Sequence, residues 1–177
     1  MIADTYAVWL ARWNTAHPDD RIDLAEIYSP RAAANAAFLA QLSAPDLYRD
    51  VQTIGGALEG VSQLRAAGHR LLFVTSCVRG MADQKREWLE RHKILDYRPL
   101  QHPDLIIAHD KSLIRADVLV DDAAHNFDHW QGRGLLFDAP YNRDARPSRP
   151  IQVHTIRRVR SWPQVVAQIT QLASKAA

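Results

Sequence analysis

Residues 118–130 read VLVDDAAHNFDHW. Three apolar residues run into two adjacent carboxylates, Asp121 and Asp122. That order predicts a buried strand whose carboxyl end opens onto something cationic. An ordinary alternative exists, because Asp is common in turns and Asp122 could cap a helix starting near His125. The segments on either side decide between the two.

Working outward, apolar runs alternate with helical patterns. GALEGVSQLRAAGH (56–69) places Leu58, Val61, Leu64 and Arg65 in helical register, with Gly68 as its stop. RLLFVTS (70–76) follows as a buried strand, and MADQKREWLERHKI (81–94) as a helix. DLIIAH (104–109), ADVLVDD (116–122) and GLLFDAP (134–140) are further strands, with a short helix around AHNFDHW. IQVHTIRRV (151–159) adds an edge segment, and SWPQVVAQITQLASK (161–175) closes as a helix with Ser161 near its start. Strands alternating with helices imply right-handed crossovers and a parallel sheet, a doubly wound α/β layer.

Upstream the rhythm differs. Residues 5–14, TYAVWLARWN, space Tyr6, Trp9, Leu10 and Trp13 as an amphipathic helix, and RAAANAAFLAQL (31–42) reads as a second helix. Proline-bounded polar segments flank it, so about 14–54 reads as a small helical insertion within one domain spanning 1–177. Trp9, Trp13, Phe38 and Tyr48 are assigned to packing.

Composition sets bounds. Apolar residues make up 47% and charged residues 24%, enough for a real core. A net charge of +2 is too small to argue for nucleic acid or an anionic membrane. No apolar run approaches the ~18 residues needed to cross a bilayer, and the N-terminus does not read as a secretory signal. Cys77 is the single cysteine, so there is no intrachain disulfide, which fits a reducing cytoplasm.

In open parallel sheets, ligands bind beyond the carboxyl ends of the strands. Three polar groups fall there: Thr75-Ser76, His109-Asp110-Lys111 and Asp121-Asp122. A hydroxyl, an ammonium and paired acids on one rim suit a phosphoryl group and Mg²⁺. Each piece has a bland reading: Lys111 could pair with Asp110 on the surface, and a strand-end histidine is often a turn residue. A receiver-type signalling domain uses similar groups but needs the acid pair on the first strand, which is not the order here.

LLFVTS, HDK and VLVDD, in this order, resemble motifs two, three and four of the haloacid dehalogenase-like phosphatases. Within that superfamily, ADTYAVWLARWN, GALEGVSQLRAAGH, FVTSC, HDKSLIRADVLVDDAAHNF and LLFDAPYN are similar to the 5'(3')-deoxyribonucleotidase family. The resemblance runs almost end to end and is weakest across the insertion, where that family carries a small helical cap. The most specific stretch is DKSLIRADVLVDD, with the lysine ten residues before the first acid.

The resemblance implies that Thr75 binds the transferring phosphoryl and Lys111 offsets its charge. Asp122 would contact Mg²⁺ with Asp121 beside it. Ser76 and Arg79 lie where the family also contacts phosphate, and His109 and Val78 lie toward sugar and base. The implied reaction is Mg²⁺-dependent hydrolysis of nucleoside monophosphates, favouring deoxyribonucleotides. The partner is a small molecule, with neither a nucleic-acid polymer nor a membrane.

One departure stands out. The family opens with a strand ending in Asp-x-Asp, whose first Asp is the nucleophile and whose second is the general acid and base. Here the chain opens MIADTY, in which Ile2, Ala3 and Asp4 match only the tail of that motif. The first, central strand is therefore expected to be missing, leaving apolar faces and backbone groups uncovered and favouring self-association as a homodimer. Two explanations stay open. A start site placed too late, with a GTG valine codon read as the initiator, makes the 177 residues an impaired part of a working phosphatase. Alternatively, the protein is a non-catalytic nucleotide or phosphate binder. An in-frame Asp-x-Asp run just upstream in the genome favours the first and a stop codon the second. Thr5 also stands where the family often has an aromatic residue, which leaves the nucleobase contact unassigned.

Overall fold

The structure, a computed structural model, describes residues 2–78, 80–95, 104–144 and 156–175. The chain divides into two compact units. The first comprises Met1–Ile2, Ile54–Leu71 and Asp110–Ala177, and the second Ala3–Thr53 and Leu72–His109. Both are α/β, and every strand pairing is parallel, as the alternation requires.

In the first unit, three strands line up in the order β3 (Val118–Asp121), β4 (Arg133–Phe137) and β5 (Ile156–Val159). Asp121 stands opposite Leu136, and Phe137 opposite Val159. Phe127, Trp130 and Leu136 form a buried cluster, with Ile114, Leu119 and Ile156 packed against it. Gly134 lets this happen: a Cβ there would meet the Phe127 ring at 2.8 Å. The helix expected around AHNFDHW is a single 3-10 turn, Ala124–Phe127.

Two helices complete this unit, α4 (Ala57–Ala66) and α6 (Trp162–Ala173). The Ser161 side chain accepts from the Gln164 backbone N–H, and Pro163 occupies the first turn, two ordinary helix-start devices. Gly68, at φ +85°, ends the turn after α4. The two helices approach closely at Gly60, where a Cβ would meet Trp162 Cε3 at 2.5 Å.

In the second unit, β1 (Phe73–Thr75) pairs with β2 (Leu105–Ile107). The helices are α1 (Thr5–Ala16), α2 (Pro30–Ala34), α3 (Ala36–Ala40) and α5 (Met81–Arg91). The single helix expected over 31–42 is two short ones. Asn35 interrupts it by leaving helical backbone, and its side chain caps the next turn by accepting from the Phe38 N–H at 3.0 Å. Trp9 stacks on Phe38 with ring centroids 3.9 Å apart, and its Nε1 donates to the Phe38 carbonyl. Trp88 Nε1 likewise donates to Val51 O at 2.8 Å. Trp9, Trp13, Phe38 and Tyr48 are all buried, so the aromatics serve the core. Burial pushes the Tyr48 phenol up to about 12, against a hydrogen bond from Thr5 that works the other way.

The strands therefore form a two-stranded and a three-stranded piece. Among the described residues β1 pairs only with β2, and β3 only with β4. The edge segment 151–159 is a strand over its last four residues, and residues 151–155 lie outside the described ones.

Gly60 sets two effects against each other. Alanine is favoured over glycine by ~1 kcal/mol inside a helix, but its methyl would be driven into the buried Trp162 ring. Overpacking of this kind typically costs ~1–3 kcal/mol. Gly60→Ala is expected to lower stability, read as an earlier midpoint in urea denaturation followed by circular dichroism.

Candidate active site

In the first unit the site grows from the end of β3. Lys111 Nζ bonds directly to Asp121 Oδ2, with the lysine side chain 13% exposed and the aspartate 4%. Asp121 Oδ1 accepts from the Ala123 N–H at 2.9 Å and from Asn126 Nδ2 at 2.9 Å. Burial alone would disfavour the charged carboxylate, but Lys111 and the Ala123 N–H outweigh it and hold the Asp121 carboxyl below the usual range. The surface pairing of Lys111 with Asp110 does not occur in this contact. Asp110 instead accepts from the Ser112 N–H and hydroxyl, at 2.9 and 2.6 Å.

Asp122 is placed differently. It is half-buried, and Oδ2 accepts from the Tyr141 hydroxyl. It caps no helix: the 3-10 turn that follows has no side-chain cap. Behind it, Asn142 Nδ2 donates to Asp122 O at 2.7 Å and to Phe137 O at 2.8 Å. Asn142 Oδ1 takes hydrogen bonds from the Ala139 N–H and from Arg158, which also pairs with Asp138 at 2.8 Å. Asp121, Asp122 and Asp138 thus lie beyond β3 and β4, with Lys111 and Arg158 as their cations. Asp122 is the carboxylate of the three that has no ionic partner among the described residues.

Does this suit Mg²⁺? Among the described residues no three His, Cys, Asp or Glu side chains form a cage. Mg²⁺ does not ask for one, since it takes one or two carboxylates, waters and phosphate oxygens. Asp122, a hard oxygen donor short of a cation and next to a second carboxylate, fits that requirement.

In the second unit, β1 ends at Thr75 and β2 at Ile107, paired residue for residue. The Ala108 N–H donates to Thr75 O at 3.0 Å, so Thr75, Ser76 and His109 share one sheet edge. Thr75 is half-buried, while Ser76, Val78 and His109 are exposed. Lys85, from α5, donates to Thr75 Oγ1 at 2.7 Å and to Ser76 O at 2.6 Å. Arg79 lies outside the described residues.

The structure therefore brings Lys111 to Asp121, and Thr75 and Ser76 to the edge that holds His109. Asn126, Tyr141, Asn142, Arg158 and Lys85 are contacts that the sequence reading did not assign. Tyr141 and Asn142 sit inside LLFDAPYN, one of the matching segments. Arg158 lies in the edge segment 151–159 with no local sign of a partner, and Lys85 carries no local signature beyond its place in the helix after β1.

The parallel α/β architecture of both units is consistent with the haloacid dehalogenase-like class. Comparison with known proteins narrows the class. The family profile described as 5' nucleotidase, deoxy (pyrimidine), cytosolic type C protein matches residues 1–176. A Bordetella parapertussis protein, provisionally named 5'(3')-deoxyribonucleotidase, is 32% identical over 164 residues, covering 81% of this chain and 82% of that protein. The 5'(3')-deoxyribonucleotidase of Bacillus subtilis is 30% identical over 102 residues, 56% of each chain, and that of Clostridium acetobutylicum 22% identical over 143 residues. The chain belongs to the 5'(3')-deoxyribonucleotidase family.

Removing the charge of Asp121 leaves a buried ammonium without its partner, a change that typically costs ~3–5 kcal/mol. Asp121→Asn is expected to lose stability on that scale at neutral pH. The sign with pH follows from the lowered carboxyl: its contribution is complete above the ordinary aspartate range and disappears as pH falls below it. Urea denaturation at neutral and at strongly acidic pH should show wild type and variant far apart in the first and converging in the second.

Proposed function

We propose that the protein acts on deoxyribonucleoside monophosphates, with hydrolysis to nucleoside and phosphate as the reaction its residues are built for. The observation that carries this reading is the buried Lys111–Asp121 pair followed by Asp122, a carboxylate without an ionic partner among the described residues, in a chain matched along residues 1–176 by a nucleotidase family. The relatives bearing the name 5'(3')-deoxyribonucleotidase support the substrate class.

The roles follow from donor and acceptor chemistry. Thr75 and Ser76 donate hydroxyls to phosphoryl oxygens, and Lys111 offsets negative charge while keeping Asp121 ionised. Asp122 holds Mg²⁺ with Asp121 alongside, and Tyr141 and Asn142 fix where Asp122 points. The metal, when bound, draws charge off the phosphoryl group. His109 and Val78 are exposed near the Thr75 edge and face sugar and base. The helical segment 14–54 serves as a cap, a cytoplasmic location fits the single free thiol, and association into a homodimer covers open strand edges.

Turnover needs one more group. No two of the aspartates in these 177 residues stand two positions apart, so no Asp-x-Asp supplies a nucleophile and its acid-base partner. The 177-residue chain is accordingly a binder with little or no phosphatase activity. The same observation favours a second reading, a phosphate or nucleotide sensor with no catalytic role.

Calorimetry with dUMP and phosphate release from dUMP test both. The chain is expected to bind dUMP more tightly with Mg²⁺ than without, and to release little phosphate. Asp122→Asn should abolish the gain from Mg²⁺. Fast turnover by the 177 residues refutes the impaired-chain reading. Absence of dUMP binding in either condition refutes the phosphate site. Appending an upstream strand that ends in Asp-x-Asp is expected to raise turnover if the protein is the enzyme, and to leave it unchanged if it is a sensor.

A further inference from the structure

A threonine hydroxyl has one proton to give and two lone pairs to accept with, whereas an ammonium only donates. Lys85 Nζ lies 2.7 Å from Thr75 Oγ1, so in that contact the hydroxyl must accept. Its own proton is then directed elsewhere, and in the structure it points to the Ser76 carbonyl at 3.2 Å. That is a long distance for an O–H donor, whose bonds cluster near ~2.8 Å. An anionic phosphoryl oxygen is a much stronger acceptor than a neutral carbonyl.

The placement of Lys85 is a property of the helix. Gly80, with φ +81°, turns the chain into α5, and Lys85 is the fifth residue of that helix. Helical side chains lean toward the helix N-terminus, so a long side chain one turn in reaches back to the strand end that precedes the helix. Gln84, its neighbour, braces the same turn by donating to Gly80 O at 3.3 Å and Ala44 O at 3.0 Å.

We propose that Lys85 is a positioning residue for the phosphate. It occupies an acceptor site of the Thr75 hydroxyl and thereby commits the threonine to act as a donor to the phosphoryl group. The inference rests on the reading that Thr75 receives that group. A purely structural role, in which Lys85 only caps the Ser76 carbonyl, makes a different forecast: stability changes and affinity does not.

The test is calorimetric titration of the 177-residue chain with dUMP and with inorganic phosphate, Mg²⁺ present, alongside thermal denaturation by circular dichroism. Lys85→Met is expected to weaken both ligands by roughly 10-fold or more, the scale of a lost hydrogen bond to a charged group. Lys85→Arg should recover most of the loss, and Lys85→Gln, which still donates but carries no charge, part of it. Lys85→Gln replaces the Met variant if that one fails to fold. Thr75→Val should weaken binding by itself, and adding Lys85→Met to it should cost almost nothing more, because the lysine acts through the hydroxyl. Wild-type affinity in the Lys85 variants overturns the inference, as do losses that simply add in the double variant. Both results leave the phosphate site standing. Failure of the unaltered chain to bind either ligand overturns the site and the inference together.

Discussion

Asp121 is a buried carboxylate held as an anion above all by Lys111, which lies against it. Separating the two would strand a charge in the interior, which is far more costly than the net stabilisation the intact pair provides. That asymmetry fixes local geometry. Ten residues separate the partners, and the chain between them forms a 3-10 turn at Lys111–Leu113, continues through Ile114 and then runs up β3 to Asp121. The lysine-to-acid spacing is therefore the contour of a loop that must close on itself. An insertion or deletion anywhere in it would break a buried ion pair.

The pair also divides the work between two acids that look equivalent in the sequence. Asp121 has Lys111, the Ala123 N–H and Asn126 as donors, leaving it little capacity for a ligand. Asp122 points to the neutral Tyr141 hydroxyl, with its backbone tied to Asn142. Because Arg158 binds both Asp138 and Asn142, β5 is coupled to the loop that orients Asp122. Neighbouring carboxylates repel one another. Two of the three here are offset by their own cations, Lys111 and Arg158.

Much of this was legible before any coordinates. Short apolar runs that break at polar strand ends and alternate with helical patterns gave away the parallel α/β architecture. The placement of Thr75, Asp121 and Asp122 at strand ends was legible from where the apolar runs stop. What stayed hidden depended on partners distant in the chain. Asn35 ended a helix that propensity would have continued, because its side chain could cap the next turn. Arg158 has no partner near it in the sequence, and only the loop after β4 explains it. Lys85 is one of several charged residues in MADQKREWLER, and nothing in that helical pattern says which one leans back to the strand.

Binding and turnover are separable in such a design for a physical reason. The groups that recognise phosphate, namely hydroxyl donors, an ammonium and a metal-holding carboxylate, stabilise charge that is already present on the substrate. Acting on the ground state, they give affinity even where no bond is broken. Acceleration comes from a group whose bonding changes during the reaction, here a nucleophilic carboxylate with its acid-base partner. The groups proposed for phosphate sit at the ends of β1 and β3, each placed by its own packing: Thr75 by β2 and Lys85, Asp121 by Lys111. Neither placement requires an Asp-x-Asp strand for its hydrogen bonds. Phosphate recognition and cleavage thus rest on different groups.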